Sequence, residues 1–305
     1  MPEVENVHTD AILSNISVQY RNAAYVGQQL LPVVPVQKES DLYYIYNTKE
    51  DAFRIPETLR APKSESKQVD WKVTTGTYQC KEYALNDLID DRERNNADAP
   101  LNLEVDTVEF LTDIIELAQE KRYVDLLVAG LTGTHTANIT VKWEDYINSD
   151  PIADIETGKQ NIHSNIFRNP NTLLLSKQVY DVLKHHPDIL ERIKYTQKGL
   201  VTAELMASLF EVDRVIVGEA GYNTKKEGQT GVYAYLWGKY AMLAYIEPRP
   251  GIKKYSLGYT FKVGANTTRR ARIETKHSDW FETSMICDEN LVSVDCGYLM
   301  KACIT

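Results

Sequence analysis

The sequence predicts an α+β fold, and three observations lead to that prediction. Apolar residues recur at helical spacing over residues 101–129, which predicts a single helix much longer than average. Helical and strand-like segments alternate between residues 170 and 256, as is typical of a compact α/β lobe. Residues 257–305 are mostly strand-like, with runs such as GYTFKV and ENLVSVDCGYLM.

The composition is that of a globular chain with an acidic balance. Hydrophobic residues make up 43% of the 305 residues and charged residues 25%, so the chain is expected to fold around a core. The net charge of −9 argues against broad binding to nucleic acid or to anionic membranes, since both require basic patches. The start MPEVENVHTD lacks an apolar signal segment, and no run of about 18 apolar residues occurs. We therefore expect synthesis in the cytoplasm and no membrane partner.

Residues 1–37 are predicted to form an N-terminal arm. Its apolar run LLPVVPV contains Pro32 and Pro35, which exclude an uninterrupted helix and a central strand. An extended apolar run cannot bury itself, so it must lie against another surface. The candidate interface residues of this run are Leu30, Leu31, Val33 and Val34.

Residues 38–84 are predicted to form one long β-hairpin. Leu42, Tyr44 and Tyr46 alternate with Tyr43 and Ile45, so both faces of the first strand are apolar. The second strand carries Val69, Trp71 and Val73 on one face, and the pattern shifts phase at Gly76, which predicts a bulge or bend there.

The reach of this hairpin predicts contact with another molecule. Two arms of about 20 residues extend about 60 Å, whereas a compact domain of this length has a radius of gyration of about 19 Å. An isolated ribbon is marginally stable in water, so it is expected to rest on a neighbour. The 19 tyrosines, against 6 phenylalanines, suit such interfaces. The candidate interface residues here are Tyr43, Tyr44, Tyr46 and Trp71.

Two groups of possible acid–base residues are better explained as solvated surface. Adjacent side chains on a helix point about 100° apart, so His185 and His186 do not easily share a metal, and they are interpreted as a solvated helix end. Glu116 and Glu120 lie one helical turn apart, but neighbouring basic residues favour a charged, solvated face.

No catalytic, cofactor-binding or metal site is predicted elsewhere. The four cysteines, Cys80, Cys287, Cys296 and Cys303, have no zinc-ligand spacing and are interpreted as buried thiols. GLTGTH lacks the lysine of a phosphate-binding loop. Alternation places Arg270, Arg272 and Lys276 on one strand face; phosphate contact is an alternative, but pairing with carboxylates of an adjacent subunit is favoured in an acidic chain.

The order of these parts resembles a known family. LLPVVPVQKESDLYYIY resembles a passage from arm to extended loop, and NADAPLNLEVDTVEFLTDIIELAQEKRYVDLL resembles a spine helix. NTLLLSKQVYDVLKHHPDILERIKY, TAELMASLFEVDRVIVGEA and the closing SDWFETSMICDENLVSVDCGYLM complete the order. The chain thus resembles a major capsid protein of a tailed bacteriophage with the Hong Kong phage-type fold, which encapsulins share.

The resemblance implies a division of the chain and a structural function. The arm and extended loop would precede a peripheral domain at 85–169 with its spine helix, an axial α/β domain at 170–256, and closing strands at 257–305 shared by both. Hexamers and pentamers would form an icosahedral shell around double-stranded DNA, which they contact weakly and non-specifically. The apolar run of the arm would lie against the spine helix or an adjacent subunit. The residues before Tyr25 are too few for a fused scaffolding segment, so either a separate scaffolding protein exists or the chain has been processed; portal and decoration proteins are further expected partners.

Two alternative functions and two expected experimental results follow from these predictions. The alternatives are an encapsulin-like compartment that holds a cargo enzyme, and a cytosolic enzyme with an unrecognised site. For a capsid subunit, deletion of residues 1–37 is expected to abolish closed shells and to leave a folded core. Trp71→Ala is expected to weaken assembly more than folding.

Overall fold

The fold is described from a computed structural model of the chain. It describes residues 8–9, 25–46, 52–70, 72–96, 102–193, 201–226, 228–251 and 253–305. The helices are α1 Gly27–Leu30, α2 Asp91–Asn96, α3 Leu103–Gly130, α4 Pro151–Ile166, α5 Lys177–Leu183, α6 Pro187–Ile193 and α7 Ala203–Leu209.

The strands form two sheets and two separate ribbons. In chain order they are β1 His8–Thr9, β2 Val33–Val36, β3 Ser40–Tyr46, β4 Val73–Gln79, β5 Lys81–Asp90, β6 Thr136–Asn138, β7 Thr172–Ser176, β8 Arg214–Gly218, β9 Gly221–Asn223, β10 Tyr233–Tyr235, β11 Ala241–Ala244, β12 Gly258–Val263, β13 Thr267–Ile273, β14 Ser278–Leu291 and β15 Gly297–Lys301. The fold is α+β, as predicted.

Helix α3 is the long helix that the sequence predicts. It begins after Asn102, whose side chain accepts a hydrogen bond from the backbone N–H of Val105, and its 28 residues span about 42 Å. One face is buried, at Val108, Leu111, Thr112, Ile115, Gln119, Glu120, Tyr123, Val124 and Leu127. Phe110, by contrast, is exposed. Leu101, the predicted first residue, lies outside the described residues.

The first sheet, here called the peripheral sheet, is built around β14. Strands β12 and β13 lie end to end along one edge of β14, and β5 pairs with the opposite edge from Lys81 to Asp90. Strand β2 pairs in parallel with β12, and β1 pairs with β13. Helix α3 packs on one face of this sheet. Residues 81–84, assigned from sequence to the hairpin, therefore belong to the sheet.

The second sheet, here called the axial sheet, has the order β6-β15-β11-β7-β8. Strand β7 is fully buried. Ser176 caps α5 by accepting a hydrogen bond from the N–H of Val179, and Pro187 occupies the first position of α6, where its missing N–H is tolerated. A single large apolar core joins α3, α4, this sheet and the start of the arm.

The two-stranded ribbon is shorter than the predicted hairpin. Strands β3 and β4 pair over seven residues each, from Ser40 opposite Gln79 to Tyr46 opposite Val73. Residues 54–70 contain no helix or strand, so the predicted pairing over about 20 residues is wrong. The bulge at Gly76 is also absent, because Gly76 lies in regular register opposite Tyr43. Trp71 lies outside the described residues.

Candidate subunit-assembly surface

A buried carboxylate on α3 holds the start of the described arm. The oxygens of Glu120 accept hydrogen bonds from the backbone N–H groups of Val26 at 3.1 Å and Gly27 at 2.8 Å. They also accept one from the indole N–H of Trp237, in the axial part of the chain, at 2.7 Å. One side chain therefore joins the arm, the long helix and the axial part.

The burial of Glu120 contradicts the solvated face predicted for it and Glu116. Only 2% of Glu120 is exposed, and burial raises the pKa of its carboxyl against the opposing effect of the three N–H donors. The sequence contains a signal for this burial, because Glu120 lies four residues before Val124 and seven before Leu127, on the buried stripe of the helix.

Glu120→Gln is expected to lower the free energy of unfolding by about 1–3 kcal/mol. The amide keeps one acceptor oxygen, but its NH₂ group would face an N–H donor and leave that donor unpaired. Denaturant unfolding of the variant and the parent chain measures the difference. Asp125→Asn is the matched control, since Asp125 lies exposed on the same helix and is expected to change stability by less than about 0.5 kcal/mol. Equal effects of both changes would contradict this assignment.

The apolar run of the arm begins inside the subunit's own core. Gly27 approaches α3 so closely that an added Cβ would lie 2.0 Å from the ring of Tyr123. Leu30 and Leu31 are fully buried in the cluster that contains Tyr123. The expectation that the run lies against the long helix is confirmed. As candidate interface residues, however, Leu30 and Leu31 have no surface left for a neighbour, because their own chain already covers them.

The arm then leaves the core along the peripheral sheet. Arg214 donates a hydrogen bond to the carbonyl of Gln29 at 2.9 Å, which ties the arm to the axial sheet. Val34 packs into a small cluster around Phe261, whereas Val33 is 37% exposed. Strand β2, which contains Pro35, lies at the edge of the sheet, where the missing N–H of a proline is tolerated.

One face of the β3–β4 ribbon packs against the peripheral sheet. The ring of Tyr43 lies over Gly76, where an added Cβ would come within 2.3 Å of it. Tyr43 and Tyr78 both stack on Phe261, with ring centroids at 5.6 and 4.5 Å. The glycine that the sequence marked as a bulge instead makes room for this stack.

The opposite face of the ribbon is exposed and apolar. Because strand side chains alternate, Leu42, Tyr44 and Tyr46 share a face with Val73 and Thr75 on the adjacent strand. Leu42 is 52% exposed and Tyr44 65% exposed. We call this set of five residues the outer ribbon face. It is a rigid apolar surface on a strand pair whose other side is fixed.

The segment that joins β3 to β4 also exposes apolar side chains. Within residues 52–70, Ile55, Leu59 and Val69 are largely exposed. Phe53 makes an edge contact with Phe167 at the end of α4, with ring centroids 4.7 Å apart. Exposed apolar residues concentrated in one stretch are typical of a protein–protein contact.

The predicted basic patch has its carboxylate partners within the same chain. Arg270 contacts Glu104 at 3.1 Å and Asp279 at 2.8 Å, and Arg272 contacts Asp279 and Asp91. Asp279 is almost fully buried; burial opposes its ionisation, but the arginines outweigh burial and hold its pKa below the usual value. The sequence favoured ion pairs between these arginines and an adjacent subunit. In the structure the arginines instead form an ion-pair cluster within one chain, which links β13, β14 and the start of α3. Any further contact of these arginines with a neighbour stays a prediction.

His186 is buried, which contradicts the solvated helix end predicted for it. Its Nδ1 accepts a hydrogen bond from the backbone N–H of Asp188 at 3.4 Å, so Nε2 donates to the Ser149 hydroxyl at 3.0 Å. That hydroxyl donates in turn to the carbonyl of Asp145 at 2.7 Å. The hydrogen bond between His186 and Ser149 thus runs in the opposite direction to that of a hydrolytic triad, in which the histidine accepts the proton of the serine. The group therefore joins a loop to α6.

The subunit is expected to lose stability as pH falls below about 6.5, the ordinary pKa of histidine. Burial lowers the pKa of His186, although Asp188 and Asp150 oppose the shift. As pH falls, His186 therefore binds a proton in the unfolded chain before it does so in the folded chain. The free energy of unfolding then falls by up to about 1.4 kcal/mol per pH unit. The other groups facing the ring are Tyr146 and Ser149. Unfolding at pH 7.5 and 5.5 should show a smaller drop for His186→Gln than for the parent; an equal drop would contradict the assignment.

The described residues contain neither a candidate membrane span nor a candidate metal site. No helix in these ranges is both long and apolar enough to cross a membrane. No group of three or more histidine, cysteine, aspartate or glutamate side chains in the same ranges is arranged to hold a metal ion. The four cysteines are free and buried, as predicted.

Comparison with known proteins shows similarity to phage proteins. The profile of the family described as phage major capsid protein E matches residues 102–254. The major capsid protein of Burkholderia phage BcepMu is 32% identical over 301 residues, which cover 96% of this chain and 95% of the relative. The crystal structure of a phage-related protein from Bordetella bronchiseptica RB50 is 27% identical, with a TM-score of 0.76, and covers 97% of this chain and 98% of that one.

A more distant structure shows how general the fold is. The capsid structure of cyanophage P-SCSP1u is 10% identical, with a TM-score of 0.61 over 89% of this chain and 86% of that one, so this likeness concerns the fold alone. The fold is the Hong Kong phage-type capsid fold, as the resemblance implied. The sequence similarity is to phage proteins, so the encapsulin alternative is not favoured. The chain belongs to the phage major capsid protein E family.

Proposed function

We propose that copies of this chain assemble as hexamers and pentamers into a closed icosahedral shell around double-stranded DNA. The similarity to the BcepMu major capsid protein over almost the whole of both chains carries the proposal. A phage capsid protein is a component of the virion, and this family is one of structural proteins. We further propose that assembly takes place in the host cytoplasm.

The outer ribbon face supplies a contact for such assembly. Its apolar side chains are exposed although the strands that carry them are fixed by the Tyr43 and Tyr78 stack on Phe261. A surface that is already ordered loses little conformational entropy on binding, which favours association. We propose that this face, with residues 52–70, lies on a neighbouring subunit, and that many modest contacts of this kind hold the shell.

The contact with packaged DNA is proposed to be weak and independent of sequence. The chain has a net charge of −9, and Arg270 and Arg272 are engaged by carboxylates of the same chain. These two arginines are therefore not available to release counterions from DNA. A separate scaffolding protein, a portal and decoration proteins are further proposed partners.

Expression of the full chain, alone and with a candidate scaffold from the same phage genome, tests this function. Negative-stain images of the purified material should show closed particles with five-fold and six-fold capsomers. Particles recovered from infected cells should contain double-stranded DNA. A small soluble oligomer under every condition would contradict the capsid function, and a protein cargo in place of DNA would support the encapsulin alternative.

A further inference from the structure

Strand β5 has an open edge of unusual length. It pairs with β14 over all ten residues in uninterrupted register, and among the described residues no strand pairs with its other edge. The remaining outer edges of the peripheral sheet differ from it, because β2 contains Pro35 and β13 receives β1. Edge strands of this length are normally blocked or covered, since they present unpaired N–H and C=O groups to any partner strand.

Hydrogen bonds at the two ends of β5 identify the residues that face this edge. The N–H groups of Gln79 and Asp91 point towards β14, since they donate to Asp288 and to the carbonyl of His277. The N–H of Cys80 points the other way, to the carbonyl of Glu39. Because backbone groups alternate along a strand, the even-numbered residues face outwards. They are Glu82, Ala84, Asn86, Leu88 and Asp90.

The hydrogen bond made by the N–H of Leu88 agrees with that alternation. The N–H of Leu88 bonds to the side chain of the preceding Asp87 at 2.8 Å instead of to β14. This local bond is exposed and costs little to exchange for a strand pairing. Tyr83 and Ile89 face α3, and Leu85 between them is 37% exposed. The centre of the edge is therefore apolar and its backbone is available.

We propose that the β5 edge pairs antiparallel with the β5 edge of a second copy, about a two-fold axis at Leu85. The inference rests on the proposed assembly function and names one of its contacts. A two-fold axis requires one residue to lie opposite itself, so the candidate centres are Leu85 and Asn86. Because both residues lie near the middle of β5, pairing about either of them would use most of the open edge of the strand.

The charges of β5 select between the two registers. With Asn86 at the centre, Glu82 of each copy lies opposite Asp90 of the other, and like charges directly opposite are destabilising. With Leu85 at the centre, Leu85 meets Leu85 and Ala84 meets Asn86, while Lys81 is a diagonal neighbour of Asp87. The pairing then forms about eight backbone hydrogen bonds and one continuous sheet across two copies.

The charged residues also explain how such an edge remains specific. Charged side chains on an edge strand discourage indiscriminate pairing. Of the two registers that use most of the strand, only the one centred on Leu85 is free of directly opposed like charges, so the charges discourage other pairings while they permit a second copy. Pairing of two strand edges adds backbone hydrogen bonds that the outer ribbon face does not supply.

Leu85→Cys in the full chain tests the proposal directly. Directly opposite residues in a non-hydrogen-bonded pair have Cα atoms about 4.5 Å apart, which permits a disulfide. Lys81→Cys is the matched control on the same strand, since its two copies would lie about 27 Å apart. The native cysteines are buried, and mapping of linked peptides by mass spectrometry separates them from the new one. In mild oxidant, assembled material should contain at least about ten-fold more 85–85 linkage than 81–81 linkage.

The possible outcomes separate this inference from the proposed function. Closed particles in which residue 85 cross-links no more than residue 81 would overturn the edge pairing and leave the capsid function standing. Absence of both particles and cross-links would overturn both. Leu85→Asp gives an independent check, because two carboxylates would then lie opposite each other. Loss of particles with an unchanged unfolding midpoint supports the pairing, whereas normal particles contradict it.

Discussion

Deletion of residues 1–37 is expected to prevent the subunit from folding. The deletion removes Leu30 and Leu31, which are fully buried in the main core, and the two N–H groups that bond to Glu120. Each buried leucine contributes about 2–5 kcal/mol, so the pair approaches the total stability of about 5–15 kcal/mol of a typical domain. This result differs from the expectation drawn from sequence, which was loss of shells with a folded core.

A shorter deletion provides the matched control. A chain that lacks residues 1–24 keeps Tyr25 and all the arm contacts described above; among the described residues it gives up only the two-residue strand β1. We expect this chain to unfold cooperatively near the parent midpoint, and the longer deletion to show no cooperative transition in circular dichroism or denaturant unfolding. A cooperative transition in the chain that lacks residues 1–37 would show that the arm is not part of the core.

The sequence predicts those parts of the fold that depend on local patterns. The long helix, the buried strand β7, the Ser176 cap and the exclusion of Pro35 from a central strand all follow from spacing within about ten residues. The β3–β4 pairing also follows from alternation, but its length does not. Residues 54–70 alternate only in part, and nothing local shows that they leave the ribbon.

The parts that the sequence does not predict depend on partners far along the chain. Glu120 is buried because Val26, Gly27 and Trp237 satisfy its oxygens, and residues so distant in sequence give no periodic signal. His186 is buried for the same kind of reason. Charged and polar types are usually exposed, so a buried one contradicts the default expectation. In this chain such residues mark the places where separate segments are joined.

The double substitution Leu42→Asp with Tyr44→Asp is expected to abolish closed shells. Both side chains belong to the outer ribbon face and are more than half exposed, so the isolated subunit should keep its stability within about 0.5 kcal/mol. In an assembled shell the same positions would be covered, and two unpaired carboxylates would be removed from water at every contact, at a cost of several kcal/mol each. Light scattering and negative-stain imaging measure assembly, and denaturant unfolding measures the subunit.

The matched control keeps the apolar character of the same two positions. Leu42→Met with Tyr44→Phe preserves size and hydrophobicity, and assembly should proceed as in the parent chain. The inner face of the ribbon, with Tyr43 stacked on Phe261, is untouched in both variants, so a difference between them isolates the outer ribbon face. If the aspartate variant forms closed shells as efficiently as the control, this face is not covered by a neighbour, and the contacts of the shell must lie elsewhere on the subunit.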